Sequence, residues 1–476
     1  MSGRRSFREW IEETFHLRDA PFMGVPDYMF NLKYWLGAIA ASAFTWQVMT
    51  GLLLLFYYEP SNAYDSTMSI IHNVPFGSII LSSHLYGAYV MIIATYIHGL
   101  YVFFRGAYKR PRGAQWVLGV ILFVLTLLTA FTGYSLTGDV LAIDAINVGR
   151  GILSALGLQE LVPVIFGGGA SVNLFTRLLA WHIIITAMIV PLLALHFYLA
   201  EKNGFMPNPK EVSYRVPAIL RRDDPRIKPW WPRNFVYMLG VVFLTWGVIL
   251  LVPSILALPS VYPSVPILFS PYPGPSPTSP QAAAIPAYPP WFFLVIYKVL
   301  DMPLGLAVNI VLSMIIPVVI LLIIPLLDRN EYLHPLDRPW VTTLVLLGLV
   351  WLIELSVWSA VQPGVPVRPT WAAVTLLPPV IIIVGGMIAL RRRWVRVRNA
   401  VPSRSGKTRQ GNQWRLSKNA ASLLTYIASV LAIIITALSF TLNPITDGPF
   451  IGVAWGSSLL LFSAATFSYF YVNYLD

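Results

Sequence analysis

Two apolar stretches of this chain each contain two histidines separated by the same interval. His84 and His98 are fourteen residues apart in the first stretch, and His182 and His196 are fourteen apart in the second. In an α-helix, fourteen residues advance about 21 Å and bring a side chain to within roughly 40° of its first direction. Each helix therefore presents two imidazoles on one face, near opposite edges of a hydrocarbon layer about 30 Å thick. Two such helices side by side are predicted to clamp two flat cofactors stacked across a membrane.

The paired histidines favour haem iron over other roles. A single histidine within a membrane usually packs or forms hydrogen bonds, but four of the seven histidines of the chain follow one spacing. Zinc is disfavoured, because ligands about 21 Å apart on one helix cannot share one ion. Imidazoles at both axial positions saturate a haem iron, so the pattern indicates electron transfer rather than oxygen binding.

Two pairs of glycines repeat the histidine interval. Gly37 and Gly51 are fourteen residues apart in one apolar stretch, and Gly119 and Gly133 are fourteen apart in another. Glycines within a membrane commonly allow close helix packing. Here they fall at the depths of the histidines, where they would leave room for the faces of two bulky rings. The glycines therefore support a dihaem four-helix bundle.

The composition is that of an integral membrane protein. Of the 476 residues, 56% are hydrophobic and 11% are charged, a balance typical of membrane spans. The absence of cysteine excludes disulfides, thiolate haem ligands and iron–sulfur ligation within this chain. We predict an all-α integral membrane protein, with the dihaem four-helix bundle and further spans. Ten stretches of spanning length lie at about 35–57, 78–104, 116–137, 174–200, 234–257, 305–327, 340–361, 371–390, 421–442 and 450–472.

The net charge of +12 is distributed as in a membrane protein and not as in a nucleic-acid-binding protein. Basic segments alternate along the chain with loops nearly free of them, and loop 258–290 has no charged residue. This pattern predicts a multi-pass protein of a prokaryotic plasma membrane with both termini cytoplasmic. The basic residues are suited to anionic lipid headgroups of the bilayer. The basic segments are 1–33, 105–113, 201–233, 328–339 and 391–418, which hold 29 of the 33 Lys and Arg residues.

Together these residues resemble a known family, cytochrome b, the dihaem core of quinol-oxidising cytochrome bc complexes. The likeness covers roughly residues 20–395. It includes the paired histidines, the paired glycines and the Thr-Ala-Phe-Thr-Gly-Tyr run at 129–134. It also includes Arg177, the Pro-Pro-Trp-Phe stretch at 289–292 and the loop at 325–339. The divergence of the sequence is similar to that of the archaeal respiratory members.

The resemblance divides the chain into a family core with additions at both ends. The last two helices lie beyond the family's eight-helix core and are expected to form a packing or partner surface. The expected parts are an amphipathic cytoplasmic surface helix (1–33), the dihaem N-terminal domain (34–233), a C-terminal domain of four helices (234–395), a basic cytoplasmic linker (396–418) and two additional transmembrane helices (419–476).

The resemblance implies a subunit of a quinol-oxidising oxidoreductase complex that is not active alone. Its cofactors would be two haems, of the b type or of the a type found in some archaeal relatives. Quinol would give one electron to a Rieske iron–sulfur protein and one to the outer haem, and electrons would pass inward to the second haem. Other respiratory or terminal oxidase subunits, and a dimer of complexes, are the expected partners. The outer layer comprises His84, His182, Gly51 and Gly133, and the inner layer comprises His98, His196, Gly37 and Gly119.

The family's outer quinol pocket is altered in this chain. Its Pro-Glu-Trp-Tyr motif is replaced by Pro289, Pro290, Trp291 and Phe292. Pro290 stands where the proton-accepting carboxylate would be, and proline cannot act as a general base. Tyr134 matches a pocket-lining position of the family and keeps its hydroxyl group. We expect quinol to bind among these residues and its proton to leave through water or a carboxylate such as Asp139.

The inner quinone pocket and the haem-propionate arginines differ as well. The family histidine five residues after the last haem ligand is Glu201 here, and the serine beside the first glycine is Ala38. Two family arginines next to the histidines are missing. Arg177 remains near the outer layer, and Arg105 lies one turn below the inner layer. These differences imply altered propionate anchoring.

Three other functions are compatible with a membrane protein that contains paired histidines. The altered motifs favour a structural or electron-wiring subunit of a terminal oxidase supercomplex that keeps its haems and has lost one or both quinone sites. A transporter is disfavoured, because the spans contain no interrupted-helix repeat. Dihaem anchor subunits of membrane dehydrogenases also use four histidines, but they lack the glycine pairs and the stretch at 289–292.

Overall fold

The computed structural model describes residues 12–14, 22–167, 173–208, 215–216, 218–400 and 417–475. This part of the chain consists of helices and loops and contains no β-strand. Ten of its helices are long and apolar enough to cross a membrane. They are α1 (Leu36–Leu54), α2 (Gly77–Phe104), α3 (Gly113–Ser135), α4 (Leu174–Asn203), α5 (Arg233–Leu256), α6 (Leu306–Leu327), α7 (Pro339–Val361), α8 (Pro369–Ala400), α9 (Lys418–Ser439) and α10 (Gly448–Tyr474). The predicted all-α membrane fold with ten spans is confirmed.

The ends of the spanning helices follow local chemistry. Asn173 caps α4 by accepting a hydrogen bond from Phe175 N at 2.9 Å, which satisfies a free amide of the first turn. Gly204 ends the same helix with a φ of 70°, a left-handed conformation that glycine adopts without steric cost. Helix α8 continues to Ala400, although the apolar stretch was predicted to end at 390. The arginine-rich segment after 390 therefore prolongs the helix beyond its apolar part.

The first four spans form a bundle in which each histidine helix lies against a glycine helix. Helix α1 packs along α2, α3 packs along α4, and α2 also contacts α3. An apolar cluster that includes Ala43, Met91 and Ile189 lies between the two histidine levels. Met91 and Ile189 are each seven positions from both histidines of their own helix, and Ala43 is six positions from Gly37 and eight from Gly51. The two levels are thus separated by packed hydrocarbon.

Short helices occupy one end of the bundle, between the long spans. Segment Ala63–Asn73 follows α1, whereas Val140–Ala155 and Val162–Phe166 lie between α3 and α4. The turn Trp291–Phe293 leads into a helix at Leu294–Leu300 before α6. The proline-rich loop 258–290 contains only short 3₁₀ turns, as its composition predicts.

The last two spans join the core in series, one behind the other. Helix α10 lies along α5, and α9 lies along α10. Ser463 Oγ donates to the Gly240 carbonyl at 2.8 Å. A Cβ atom added at Gly456 would lie 2.6 Å from Leu251 N, so the glycine permits the close approach of the two helices. The additional helices therefore extend the core through α5.

Two predicted segments lie largely outside the described residues. The surface helix expected within 1–33 is described as helical only at 12–14, and it is followed by short 3₁₀ turns at Asp27–Met29 and Leu32–Tyr34. The linker expected at 396–418 begins with the end of α8, and its residues 401–416 are not described.

Candidate functional site

The outer layer brings together two histidines from different helices. The ring centroids of His84 in α2 and His182 in α4 lie 6.4 Å apart, with 68° between the ring planes. A metal bound by imidazole nitrogen lies about 2 Å from it, so two rings that share one metal ion have centres roughly 6 Å apart. The observed separation fits a single haem iron between the two rings.

The second nitrogen of each outer imidazole is held by a hydroxyl group. His84 Nδ1 lies 2.8 Å from Thr50 Oγ1, and His182 Nδ1 lies 3.1 Å from Thr132 Oγ1. Because Nδ1 is engaged in both rings, Nε2 is the atom left to bind iron. The sequence reasoning missed both threonines. Both could have been found from the sequence, because each threonine directly precedes one of the paired glycines.

Each paired glycine faces the imidazole of the neighbouring helix. A side chain at any of these positions would first meet the histidine of the neighbouring helix. That the glycines also leave room for the faces of two haems stays a prediction. The close approach of each glycine to an imidazole restricts where that imidazole can lie. A Cβ atom would be 3.3 Å from His98 Cε1 at Gly37, 3.3 Å from His84 Cε1 at Gly51, 3.3 Å from His196 Cε1 at Gly119 and 2.7 Å from His182 Cε1 at Gly133.

The inner layer borders a large cavity. His98 and His196 line a space of about 2740 Å³ together with Gly37 and Gly119. A space of this size, walled mainly by apolar side chains, suits a large flat cofactor. The residues present therefore fit a haem in each layer.

Two arginines lie near the ends of the cofactor spaces. Arg105 lines the inner cavity, and its Nη1 donates to Tyr101 Oη at 2.8 Å. Arg177 lies in the first turn of α4, at the outer end, and its Nε is buried without a hydrogen-bond partner in the described part of the chain. An unpaired buried N–H is expensive, so Arg177 fits an anionic group such as a propionate.

The inner cavity also contains the residues that replace the family's inner quinone motif. Glu201 and Ala38 both line it. Glu201 is half-buried and accepts a hydrogen bond from Met23 N at 2.8 Å. Glu201 therefore holds the segment that precedes α1.

The altered quinol motif forms an aromatic wall beside α2. Phe292 is buried, and its ring centroid lies 6.1 Å from that of Tyr89. The Trp291 ring lies 6.0 Å from the same tyrosine. Pro290 precedes the 3₁₀ turn and offers no side-chain hydrogen-bonding group. Tyr134 Oη is 3.5 Å from the carbonyl oxygen of Tyr288, next to Pro289. The structure thus brings the predicted pocket residues to one end of the bundle.

Asp139 is an anchor for the outer loop. Its carboxylate accepts hydrogen bonds from Ala142 N at 2.8 Å, from Thr137 Oγ1 at 3.1 Å and from Gly274 N. The residue is 2% exposed, and burial raises the pKa of its carboxyl group. These hydrogen bonds hold the carboxylate in place, and its role as acceptor of the quinol proton stays a prediction. The carboxylate caps Val140–Ala155 and ties it to the loop.

Comparison with known proteins identifies the family. Two family models match in series: cytochrome b(N-terminal)/b6/petB over residues 89–277 and cytochrome b(C-terminal)/b6/petD over residues 279–377. Cytochrome b of Sulfolobus acidocaldarius is 42% identical over 399 residues, which cover 80% of this chain and 70% of that protein. This chain belongs to the cytochrome b family. The family is a haem-binding one, and the resemblance drawn from the histidine and glycine pairs is confirmed.

Other members of the cytochrome b family match part of the chain. Cytochrome b6 of Heliomicrobium gestii is 34% identical over 201 residues, which cover 40% of this chain and 93% of that protein. The menaquinol:cytochrome c reductase cytochrome b subunit of Bacillus subtilis is 33% identical over 215 residues, covering 41% and 95%. A solved chain described as hyperthermophilic respiratory Complex III has a TM-score of 0.60 at 22% identity and covers 81% of this chain and 98% of its own. That structure shares the fold.

Proposed function

We propose that this cytochrome b is the dihaem subunit of a quinol-oxidising respiratory complex. One observation carries the proposal: the histidines of α2 and α4 face one another in the outer layer and line one cavity in the inner layer, and each ring lies against its own glycine. Two levels of bis-histidine ligation suit transfer of electrons across the membrane. Similarity to a menaquinol:cytochrome c reductase subunit supports quinol as the electron source.

The residues of the chain hold and insulate the cofactors. His84 and His182 would ligate the outer iron, and His98 and His196 the inner iron. Haem, when bound between these imidazoles, supplies one-electron exchange without binding oxygen. The threonine hydroxyls orient the outer rings, and the apolar cluster around Met91 keeps water out of the space between the levels.

The outer pocket would receive the quinol ring. The aromatic wall of Trp291 and Phe292 provides a flat apolar surface, and Tyr134 provides a hydroxyl group nearby. Oxidation of a quinol releases two electrons and two protons. One electron would go to a Rieske iron–sulfur partner and the other to the outer level. With Pro290 unable to accept a proton and Asp139 engaged, the protons would leave through water.

The proposed setting is a respiratory complex in a prokaryotic plasma membrane. Similarity to Complex III supports association with further respiratory subunits, including the Rieske protein, and a dimer of complexes. The basic segments at 105–113 and 328–339 lie at one end of the bundle, whereas the uncharged loop 258–290 lies at the other. This distribution supports cytoplasmic termini and an outer position for the quinol pocket.

A second candidate function is that of an electron-wiring subunit of a terminal oxidase supercomplex. Pro290 and Phe292 remove the two polar groups of the family's outer motif, and Glu201 is bound to the Met23 backbone. Under this alternative, the haems would receive electrons from another subunit.

The deciding experiment is quinol-driven reduction of the outer haem in the intact purified complex. A pyridine haemochrome spectrum first establishes haem type and the expected two haems per chain. Quinol should then reduce the outer haem, and a quinone analogue shown structurally to occupy the aromatic pocket should block that reduction. Normal reduction with the pocket filled would favour the wiring subunit.

A further inference from the structure

The residue directly before each paired glycine differs between the two layers. In the outer layer it is Thr50 on α1 and Thr132 on α3, whereas in the inner layer it is Leu36 and Leu118 on the same two helices. Both outer positions are therefore polar, and both inner positions are apolar. Because these residues sit beside the imidazoles, they set the polar surroundings of each ring.

The hydroxyl group of Thr50 acts as an acceptor toward His84. Its own proton is donated to the Trp46 carbonyl at 2.7 Å, within α1. The lone pairs of Oγ1 remain available, and His84 Nδ1 lies 2.8 Å away. The imidazole must therefore carry its proton on Nδ1 to complete this hydrogen bond.

The same arrangement occurs on α3, with a second acceptor. Thr132 Oγ1 donates to the Leu128 carbonyl at 3.1 Å and lies 3.1 Å from His182 Nδ1. The Thr129 carbonyl oxygen lies 3.0 Å from the same nitrogen. A carbonyl can only accept, so His182 Nδ1 must carry the proton. Two acceptors thus share this N–H group.

The inner layer lacks the hydroxyl groups. Leu36 and Leu118 stand in place of the two threonines, and the His196 imidazole faces the backbone of Gln115. The outer imidazoles therefore each face a threonine hydroxyl group that has no counterpart at the inner positions.

We propose that Thr50 and Thr132 are positioning residues that lower the reduction potential of the outer haem through their hydrogen bonds to its two axial imidazoles. The inference rests on the proposed function, because it requires a haem iron at Nε2 of both outer rings. A ligating imidazole that donates its other N–H group becomes a better electron donor to the metal. Greater donation favours ferric iron and lowers the potential. Electrons would then run inward from the outer level.

The test is a redox titration of the purified complex, read separately for each haem. Thr50→Val and Thr132→Val keep the side-chain shape and remove the hydroxyl group. Each should raise the ferrous-to-ferric ratio of the outer haem roughly tenfold at a fixed potential, which is about 59 mV for a one-electron couple. The inner haem should be unchanged. Complexes that lack His84 or His98 show which spectral signal belongs to which haem.

Three further variants separate hydrogen bonding from packing. Thr245→Val removes a buried hydroxyl on α5 that makes the same type of bond, to the Val241 carbonyl at 2.8 Å, away from the histidines. This control should leave both potentials unchanged. Thr132→Ser keeps the hydroxyl group and should keep the native outer potential. Leu118→Thr introduces a hydroxyl beside His196 and should lower the inner potential.

The outcomes distinguish this inference from the proposed function. Unchanged outer potentials in valine variants that retain both haems would overturn it, as would equal shifts of both haems. If the valine variants lose haem, Leu118→Thr decides, and an unchanged inner potential in that variant overturns the inference. A wild-type complex without bis-histidine haems would instead refute the proposed function.

Discussion

Lys109 Nζ lies 2.9 Å from Asp328 Oδ1, and both side chains are almost fully buried. The pair joins the turn after α2 to the turn after α6. Arg338 Nη1 lies 3.3 Å from the second oxygen of Asp328, with both side chains fully buried. Tyr108 donates to the same carboxylate. One anion thus balances two cations where the two halves of the family core meet.

Replacing Asp328 should destabilise the protein strongly. Asp328→Asn leaves Lys109 and Arg338 buried without a counter-charge, a loss of roughly 3–5 kcal/mol. Thermal unfolding of the detergent-solubilised complex measures the effect. Asp224→Asn is the matched control, because its partner Arg226 and the pair itself lie at the surface, where such pairs contribute little. Equal midpoints for the two variants would show that the buried cluster does not hold the halves together.

Alanine substitutions at the four glycines should differ in severity. Gly133→Ala places a Cβ atom 2.7 Å from His182 Cε1, whereas the other three sites allow 3.3 Å. We expect Gly133→Ala to reduce outer haem content several-fold and Gly119→Ala to change inner haem content little. Haem spectra of the purified variants provide the measurement. Gly385→Ala on α8 is the control, since a Cβ atom there meets nothing within 4 Å. A uniform loss of both haems would indicate general packing.

Single histidine substitutions should remove one haem at a time. Loss of His84 or His182 should abolish the outer haem alone, because each iron needs both of its axial imidazoles. Loss of His98 or His196 should abolish the inner haem alone. Low-temperature absorption and magnetic resonance spectra distinguish the two. If any single variant retained two low-spin haems, the pairing would be wrong.

Substitution of Tyr134 should separate quinol binding from haem binding. Tyr134→Leu removes the hydroxyl group and reshapes the pocket, and it should slow quinol-driven haem reduction roughly tenfold while both haem spectra stay native. Among the described residues, the Tyr134 hydroxyl group makes a single hydrogen bond, a long one of 3.5 Å to the Tyr288 carbonyl, so little stability should be lost. Tyr237→Phe, on α5 in a cluster with Phe470, is the control. An unchanged rate in the Tyr134 variant would place the quinol elsewhere.

The histidine pairing could be predicted from sequence because it depends on helix geometry alone. A rise of about 1.5 Å per residue fixes the depth of both imidazoles before any neighbour is known. The hydropathy of the spans has the same local origin. For this reason the ten helices and the two levels of His84 and His98 followed directly from the chain.

The details that the sequence did not yield depend on neighbours distant along the chain. The hydrogen bond from Gly274 to Asp139 joins residues on different loops. Because the two residues are far apart along the chain, the sequence did not show that the Asp139 carboxylate has this partner. The contact of Gly133 with His182 depends on how α3 and α4 are rotated. Periodicity shows that a glycine leaves space, but only packing shows which atom fills it.

The apolar cluster around Ala43, Met91 and Ile189 has an electrical consequence. It separates charge carriers by about 21 Å within a hydrocarbon layer about 30 Å thick, so an electron that crosses it moves through roughly two-thirds of the membrane voltage. A full crossing corresponds to about 2.3 kcal/mol per 100 mV, which makes this step worth roughly 1.5 kcal/mol. In an energised membrane, inward transfer between the histidine levels works against that voltage. Under the proposed function, the spacing of four histidines would thereby couple the rate of quinol oxidation to the energy already stored across the bilayer.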